Sequence, residues 1–271
     1  MLVGSSRLVL AIDIAHIKKR YPYLEVVQLG VHAGKALDFI SSLVQDADFN
    51  GVIIADVVET DFTVGPTDVA LEYLGILGRS SSYLPMFEVA LSRELQSRLA
   101  ALHSGLNSTY ILQDILRWGR FERWNSLNVA ADRSASVNYS RLKNLEEIRQ
   151  RKIREYAMPY PPPISPDIWK EKIPTFKEEI NPFLKRGGKL VMVRIPVSGG
   201  QWDFESKLYP KALYWDHLEE LLGVPTLHFK DHPSTRDFIC PDFLHLNESD
   251  KLPYTIALFD LVDELLRNFT K

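Results

Sequence analysis

The sequence predicts an α/β sandwich: five parallel strands in one sheet, helices on both faces, and a helical insertion. Three observations lead there. Short apolar runs alternate with helical patterns along the chain, the order that a mostly parallel sheet needs. The 271 residues, 45% of them hydrophobic, suffice for one large domain with a substantial core. Small and polar residues collect just after the strand runs, where doubly wound sheets hold their ligands.

The first strand is residues 1–4, Met-Leu-Val-Gly. It is a stub beside the roughly five or six residues usual for a strand, and its brevity predicts a native start further upstream. Residues 24–29 form the second strand and 34–46 a helix. Residues 51–58 are β-rich and lead into helical stretches that run to about residue 102. From 104 to 186 the chain is polar and helical with no strand, and Pro159-Tyr160-Pro161-Pro162-Pro163 interrupts it, because proline lacks the donor that regular helix requires. This stretch reads as an insertion or cap on one domain spanning 1–271. Val191, Val193 and Ile195 mark a strand over 189–195, and 224–229 is the last strand. An amphipathic helix over 253–269 closes the chain, with Ile256, Leu258, Leu261, Leu265 and Leu266 on its apolar stripe.

Charge and composition narrow the function. A net charge of −3 without a dense Lys/Arg run argues against a nucleic-acid partner. Arg149, Arg151, Lys152 and Arg154 read as a solvated helix surface. Cys240 is the single cysteine, so no internal disulfide forms. His228 and His232 lie four apart at a strand, about 13 Å along it, too far to share a metal. No Walker or G-x-G-x-x-G cradle is present to hold a nucleotide. The absence of a G-x-S-x-G elbow argues against the α/β-hydrolase family. No metal and no cofactor are expected.

Two short segments at opposite chain ends carry chemistry: Gly4-Ser5-Ser6-Arg7 and Asp242-Phe243-Leu244-His245. A serine hydroxyl becomes a nucleophile when a base takes its proton, and the base needs an acid to fix its tautomer. Ser6, His245 and Asp242 supply those types. The plainer alternatives are that Ser6 caps the following helix, that Asp242 is a turn residue beside a part-buried His245, and that Gly34 merely starts a helix.

In this order and at these strand ends, the segments resemble the SGNH (GDSL-like) hydrolase family. Gly4-Ser5-Ser6 matches its nucleophile block, Leu29-Gly30-Val31-His32-Ala33-Gly34 its second block, and Asp242-Phe243-Leu244-His245-Leu246 its last. The Gly-Ser-Ser-Arg variant is similar to a branch that includes extracytoplasmic acyl-transfer proteins acting on cell-surface glycopolymers. The resemblance implies strand order 2-1-3-4-5, as in flavodoxin-like sheets. It implies attack by Ser6 on an ester carbonyl, with His245 as base and then acid and Asp242 holding the ring. The backbone N–H groups of Ser6 and Gly34 would form the oxyanion hole. The substrate implied is a small-molecule or carbohydrate ester, and a membrane-associated partner in glycopolymer modification is the partner class; hydrolysis and transfer stay open, as does oligomeric state.

The third block departs from the family. Where an asparagine side chain normally donates to the oxyanion, this chain reads Val57-Val58-Glu59-Thr60-Asp61. Thr60 is then the candidate donor, with Asn128 or Asn138 of the insertion as alternatives. Arg7 is expected to contact an anionic substrate or to pair with Asp61. Arg194 is likewise a candidate for substrate, Trp202 for stacking on a sugar ring, and residues 131–134 for a substrate loop. A catalytically silent binding protein of the same fold, or a nucleotide binder, are the competing readings.

Overall fold

The computed structural model describes residues 1–30, 34–63, 65, 127–129, 134–155 and 162–269. Five strands form one all-parallel sheet: β1 (Leu2–Gly4), β2 (Gln28–Gly30), β3 (Val52–Asp56), β6 (Lys189–Arg194) and β7 (Thr226–His228), in the order β2-β1-β3-β6-β7. Among these five, that is the spatial order 2-1-3-4-5. β1 lies between β2 and β3, so the connections from β1 and β3 leave on opposite sides of the reversal in strand order, where such sheets open a crevice.

Alternation along the strands divides their side chains between two cores, because successive side chains point to opposite faces. Val3, Ile53, Ala55, Leu190 and Met192 face α3 (Ala36–Gln45), α5 (Pro166–Lys185) and α7 (Leu218–Leu222). Leu2, Ile54, Val191, Val193 and Leu227 face α1 (Ser6–Ala11), α2 (Ile14–Arg20) and α8 (Glu248–Asn268). With both faces covered, the central strands carry apolar residues on both sides, as in Ile53-Ile54-Ala55 and Leu190-Val191-Met192-Val193. Two further helices, α4 (Leu145–Glu155) and α6 (Gly199–Leu208), contact each other.

Several elements differ from the sequence expectation. The second strand starts at Gln28 rather than 24, and Tyr23 and Leu24 are exposed. Helix α8 begins at Glu248, before Pro253; a proline so near the N-terminus removes at most one helical bond. Its buried stripe is Tyr254, Leu258, Phe259 and Val262, while Ile256 stays exposed.

Part of the region expected to be a helical cap is core. Trp169, Ile173, Phe176, Ile180 and Phe183 of α5 are buried against the sheet, and the Trp169 indole donates to the Glu59 carbonyl at 2.8 Å. A stripe recurring at three- and four-residue steps is what a wall of the sandwich requires. The region also holds an antiparallel pair, β4 (Leu127–Val129) with β5 (Ala135–Val137), where no strand was expected. Three-residue strands are too short to leave a periodic signal. Residues 131–133 of the expected substrate loop, Trp118, Trp124 and Pro159–Pro161 lie outside the described residues.

Candidate active site

The two chain-end segments meet. β1 runs into a turn at Ser5, whose hydroxyl caps α1 by accepting the Arg7 N–H at 3.3 Å. Capping therefore falls to Ser5, and Ser6 is left at the first helical position with its hydroxyl not engaged in the cap. Its Oγ lies 3.0 Å from Nε2 of His245. On the other side of the ring, Nδ1 lies 2.9 Å from Oδ2 of Asp242.

The spacing Asp-x-x-His has a local cause. Oδ1 of Asp242 accepts the backbone N–H groups of Leu244 at 3.0 Å and His245 at 2.8 Å. One carboxylate thus closes its own turn and still offers Oδ2 to the imidazole. Burial works against the charged form of Asp242, but the His245 bond and charge, the Lys152 ammonium and the Leu244 N–H outweigh it and hold the pKa at about 2. A carboxylate at Nδ1 makes that nitrogen the donor and leaves Nε2 to accept from the serine.

The loop is fastened from both sides. Ser198 accepts the Cys240 N–H at 2.9 Å, donates its hydroxyl to the Cys240 carbonyl at 3.0 Å, and donates its own N–H to the Phe243 carbonyl at 3.0 Å. Phe243 sits at φ 75, the one non-glycine residue in the left-handed region among those described. Bulky residues adopt that region when the surroundings compel it. Burial, then the charge of Asp242, pushes the Cys240 thiol up to about 12, so it is not a reactive thiol.

The opposite wall is a polar helix that sequence reasoning took for a solvated surface. Arg149 Nε donates to the Pro241 carbonyl at 2.6 Å, and its guanidinium lies 5.3 Å from the Phe243 ring centre. Lys152 Nζ lies 3.9 Å from Oδ2 of Asp242. Arg151 pairs with Glu155 at 3.9 Å, and it and Arg154 remain exposed as expected. Buried Tyr139 donates its N–H to Asn247 Oδ1 at 3.0 Å. Burial, then the charge of Asp242 and a hydrogen bond to it, raises the Tyr139 phenol above its ordinary pKa. Helix α4 buries no residue fully, so polar contacts are what dock it. That absence of an apolar stripe was the available signal.

The three expected substrate contacts, Arg7, Arg194 and Trp202, are placed as follows. Arg7 is buried, its guanidinium 3.3 Å from Asp56 and not paired with Asp61. Arg194 is 1% exposed between Glu59, at 3.8 Å, and Glu205. Buried guanidinium groups are held by carboxylates because an unpaired charge is costly there. Trp202 is half-buried, packs edge-on against Phe229 at 5.3 Å and lies under the Lys230 ammonium at 5.2 Å.

The oxyanion candidates are placed as follows. Ser6 N–H stands in the first turn of α1, where backbone donors lack an intrahelical acceptor. Gly34 is buried where the chain enters α3. Thr60 lies on a 3₁₀ turn, Glu59–Phe62, just past β3, and its carbonyl accepts the Thr63 N–H and hydroxyl at 3.0 and 2.7 Å. Asp61 Oδ2 accepts the Val58 N–H at 3.0 Å, and burial first of all pushes its pKa up to about 7. Asn138 accepts from Ser140 N–H at 3.2 Å and the Ser140 hydroxyl at 2.6 Å, and Asn128 is exposed on β4. Gly30 serves packing: a Cβ there would stand 2.2 Å from the Val9 side chain, so glycine lets α1 lie against β2.

His228 is buried, with Nδ1 accepting the Lys230 N–H at 3.1 Å. Burial, then Arg194, Lys211 and Lys230, lowers its pKa to about 2, so it is a neutral packing residue. Comparison of the chain with protein-family models, with curated proteins and with solved structures finds no match in any of the three.

Proposed function

We propose that the chain is a serine-dependent ester hydrolase or O-acyltransferase of the SGNH type, working through an acyl-serine. The observation that carries this is the continuous hydrogen-bonded line from Ser6 Oγ through His245 to Asp242, at 3.0 and 2.9 Å. Those are the separations at which a base accepts a nucleophile's proton.

In this reading the Ser6 hydroxyl attacks the ester carbonyl as Nε2 takes its proton. The tetrahedral oxyanion faces the Ser6 and Gly34 N–H groups, with the Thr60 hydroxyl as third donor. Collapse expels the alcohol, which receives the proton from Nε2. Water or an acceptor hydroxyl then gives its proton to Nε2, attacks the acyl-serine and returns the serine. Asp242 stays ionised throughout and stabilises the imidazolium. The resemblance to the Gly-Ser-Ser branch points to acyl esters of carbohydrates or glycopolymers as substrates.

A fluorophosphonate probe with mass mapping tests the reading. Label on Ser6, abolished in Ser6→Ala, is the expected result; folded protein that leaves Ser6 unlabelled at pH 8 overturns it. A second reading, a silent binding protein of the same fold, draws on the third block, which reads Glu59-Thr60-Asp61 where the family has an oxyanion-donating asparagine. It predicts a saturable glycan ligand with no ester turnover.

A further inference from the structure

The segment 139–155 makes its closest contacts with the loop that carries the acid and base. Arg149 bonds the Pro241 carbonyl, Tyr139 bonds Asn247, and Ser136 just before it donates to Glu248 at 3.2 Å. None of these contacts reaches Ser6. Lys152 is the member of the segment that meets the triad by charge. Its ammonium is 3.9 Å from Oδ2, the oxygen that holds the imidazole. The two side chains are 15% and 7% exposed, so solvent and salt screen the pair weakly.

We propose that helix α4 is a brace on the acid of the triad and that Lys152 sets the basicity of His245 through Asp242. This rests on the Ser–His–Asp reading above and adds a residue to it. The physical argument is one of competing cations. Asp242 stabilises the imidazolium; a second cation on the same oxygen weakens that stabilisation. With Lys152 in place, His245 remains unprotonated, and able to act as a base, at lower pH. Lys152 acts through Asp242 and is a positioning residue. The other titratable and charged groups facing Asp242 are His245 and Cys240 from its own loop and Tyr139 from the 3₁₀ turn; Arg149 lies beside it on Pro241. Lys152 and Arg149 bring positive charge to it from another element.

The test uses the full chain and two readouts. The first is the rate of fluorophosphonate labelling of Ser6 against pH. The second is NMR titration of the His245 ring in a Ser6→Ala background, which needs no acylation. Lys152→Met moves the acid limb of labelling, and the ring's titration midpoint, upward by about half a unit to one unit. Lys152→Arg keeps both near wild type. Arg149→Met, which frees α4 from Pro241, moves both in the same direction as Lys152→Met and reports the brace if Lys152→Met folds poorly. A uniform fall in rate with unmoved acid limb and midpoint overturns the proposal. If wild-type Ser6 does not label, the hydrolase reading fails, while the ring titration still decides whether Lys152 tunes His245.

Discussion

The ring of Phe243 lies directly against Gly199: a Cβ on that glycine would stand 2.6 Å from the ring. Both residues have positive φ, 75 for Phe243 and 51 for Gly199, so the loop carrying Asp242 and His245 and the start of α6 fit together through two left-handed residues. Gly199→Ala strains its own backbone and pushes the ring towards Arg149. The expected cost is about 1–3 kcal/mol, read by urea unfolding. A slower labelling of Ser6 should accompany it, because Ser198 and the Phe243 carbonyl move together. Wild-type values for both would mean that the ring slides aside freely.

Adjacent serines should give opposite phenotypes. Ser6→Ala removes the proposed nucleophile but no cap, so labelling and ester turnover vanish while thermal stability stays close to wild type. Ser5→Ala removes the α1 cap, worth about 1 kcal/mol, together with the hydroxyl's contact to Asp56 at 3.5 Å. It lowers the melting temperature and leaves Ser6 open to labelling. Loss of labelling in Ser5→Ala at full stability would assign the nucleophile to the wrong serine.

What the sequence disclosed was local or ordered along the chain. The Asp242–His245 spacing is legible because one carboxylate serves both its own turn and the ring, and the central strand runs of β3 and β6 are legible because they are buried on both faces. What it hid depends on register and on long side chains. Arg7 meets Asp56 rather than Asp61 because Val3 pairs with Ala55 in the sheet, which sets Asp56 beside Gly4. Lys152 meets Asp242 across 90 positions of chain, through a flexible stem that leaves no periodic mark. Residues of α5 were assigned to a cap because they belong to a long stretch with no strand pattern, broken by the prolines at 159–163.

Asp242 makes stability depend on acid. Its pKa is held at about 2 against an ordinary value near 3.8. The sign is that of a depressed carboxylate: the unfolded state binds the proton first as pH falls. Its contribution, about 2 kcal/mol, is present above pH 4 and disappears as pH drops towards 2. Asp242→Asn should show a flatter stability profile over that window in urea titrations. The same variant should lower Ser6 reactivity by about 10⁴ at pH 7, since the amide favours the wrong imidazole tautomer. An unchanged acid profile would show that the carboxylate is not held down by its partners.

Asp61 carries the opposite sign. Its pKa of about 7 is raised chiefly by burial, so the native state keeps a proton that the unfolded state loses. The stability it contributes is full below pH 4 and is lost as pH rises to about 7. Asp61→Asn keeps an oxygen for the Val58 N–H and removes the ionisation. The variant should therefore be more stable than wild type at pH 8 and nearly equal to it at pH 4, by thermal unfolding at the two values. Lower stability at pH 8 would show that the ionised carboxylate is favoured where it sits.

Arg194 stands between two carboxylates in the interior, and removing it should reveal their repulsion. Burial raises the Glu59 pKa, the arginine opposes that shift, and Glu205 adds to it. Arg194→Met leaves Glu59 and Glu205 without their shared cation, at a cost of about 3–5 kcal/mol at neutral pH. Glu59, its pKa raised by burial and no longer opposed by the arginine, then binds its proton more tightly in the folded state than in the unfolded one, so the loss should be smaller at pH 5 than at pH 8. Adding Glu205→Gln to Arg194→Met removes one of the facing charges and should recover part of the loss. Equal destabilisation at both pH values, with no recovery in the double variant, would mean that Arg194 contributes packing volume rather than charge.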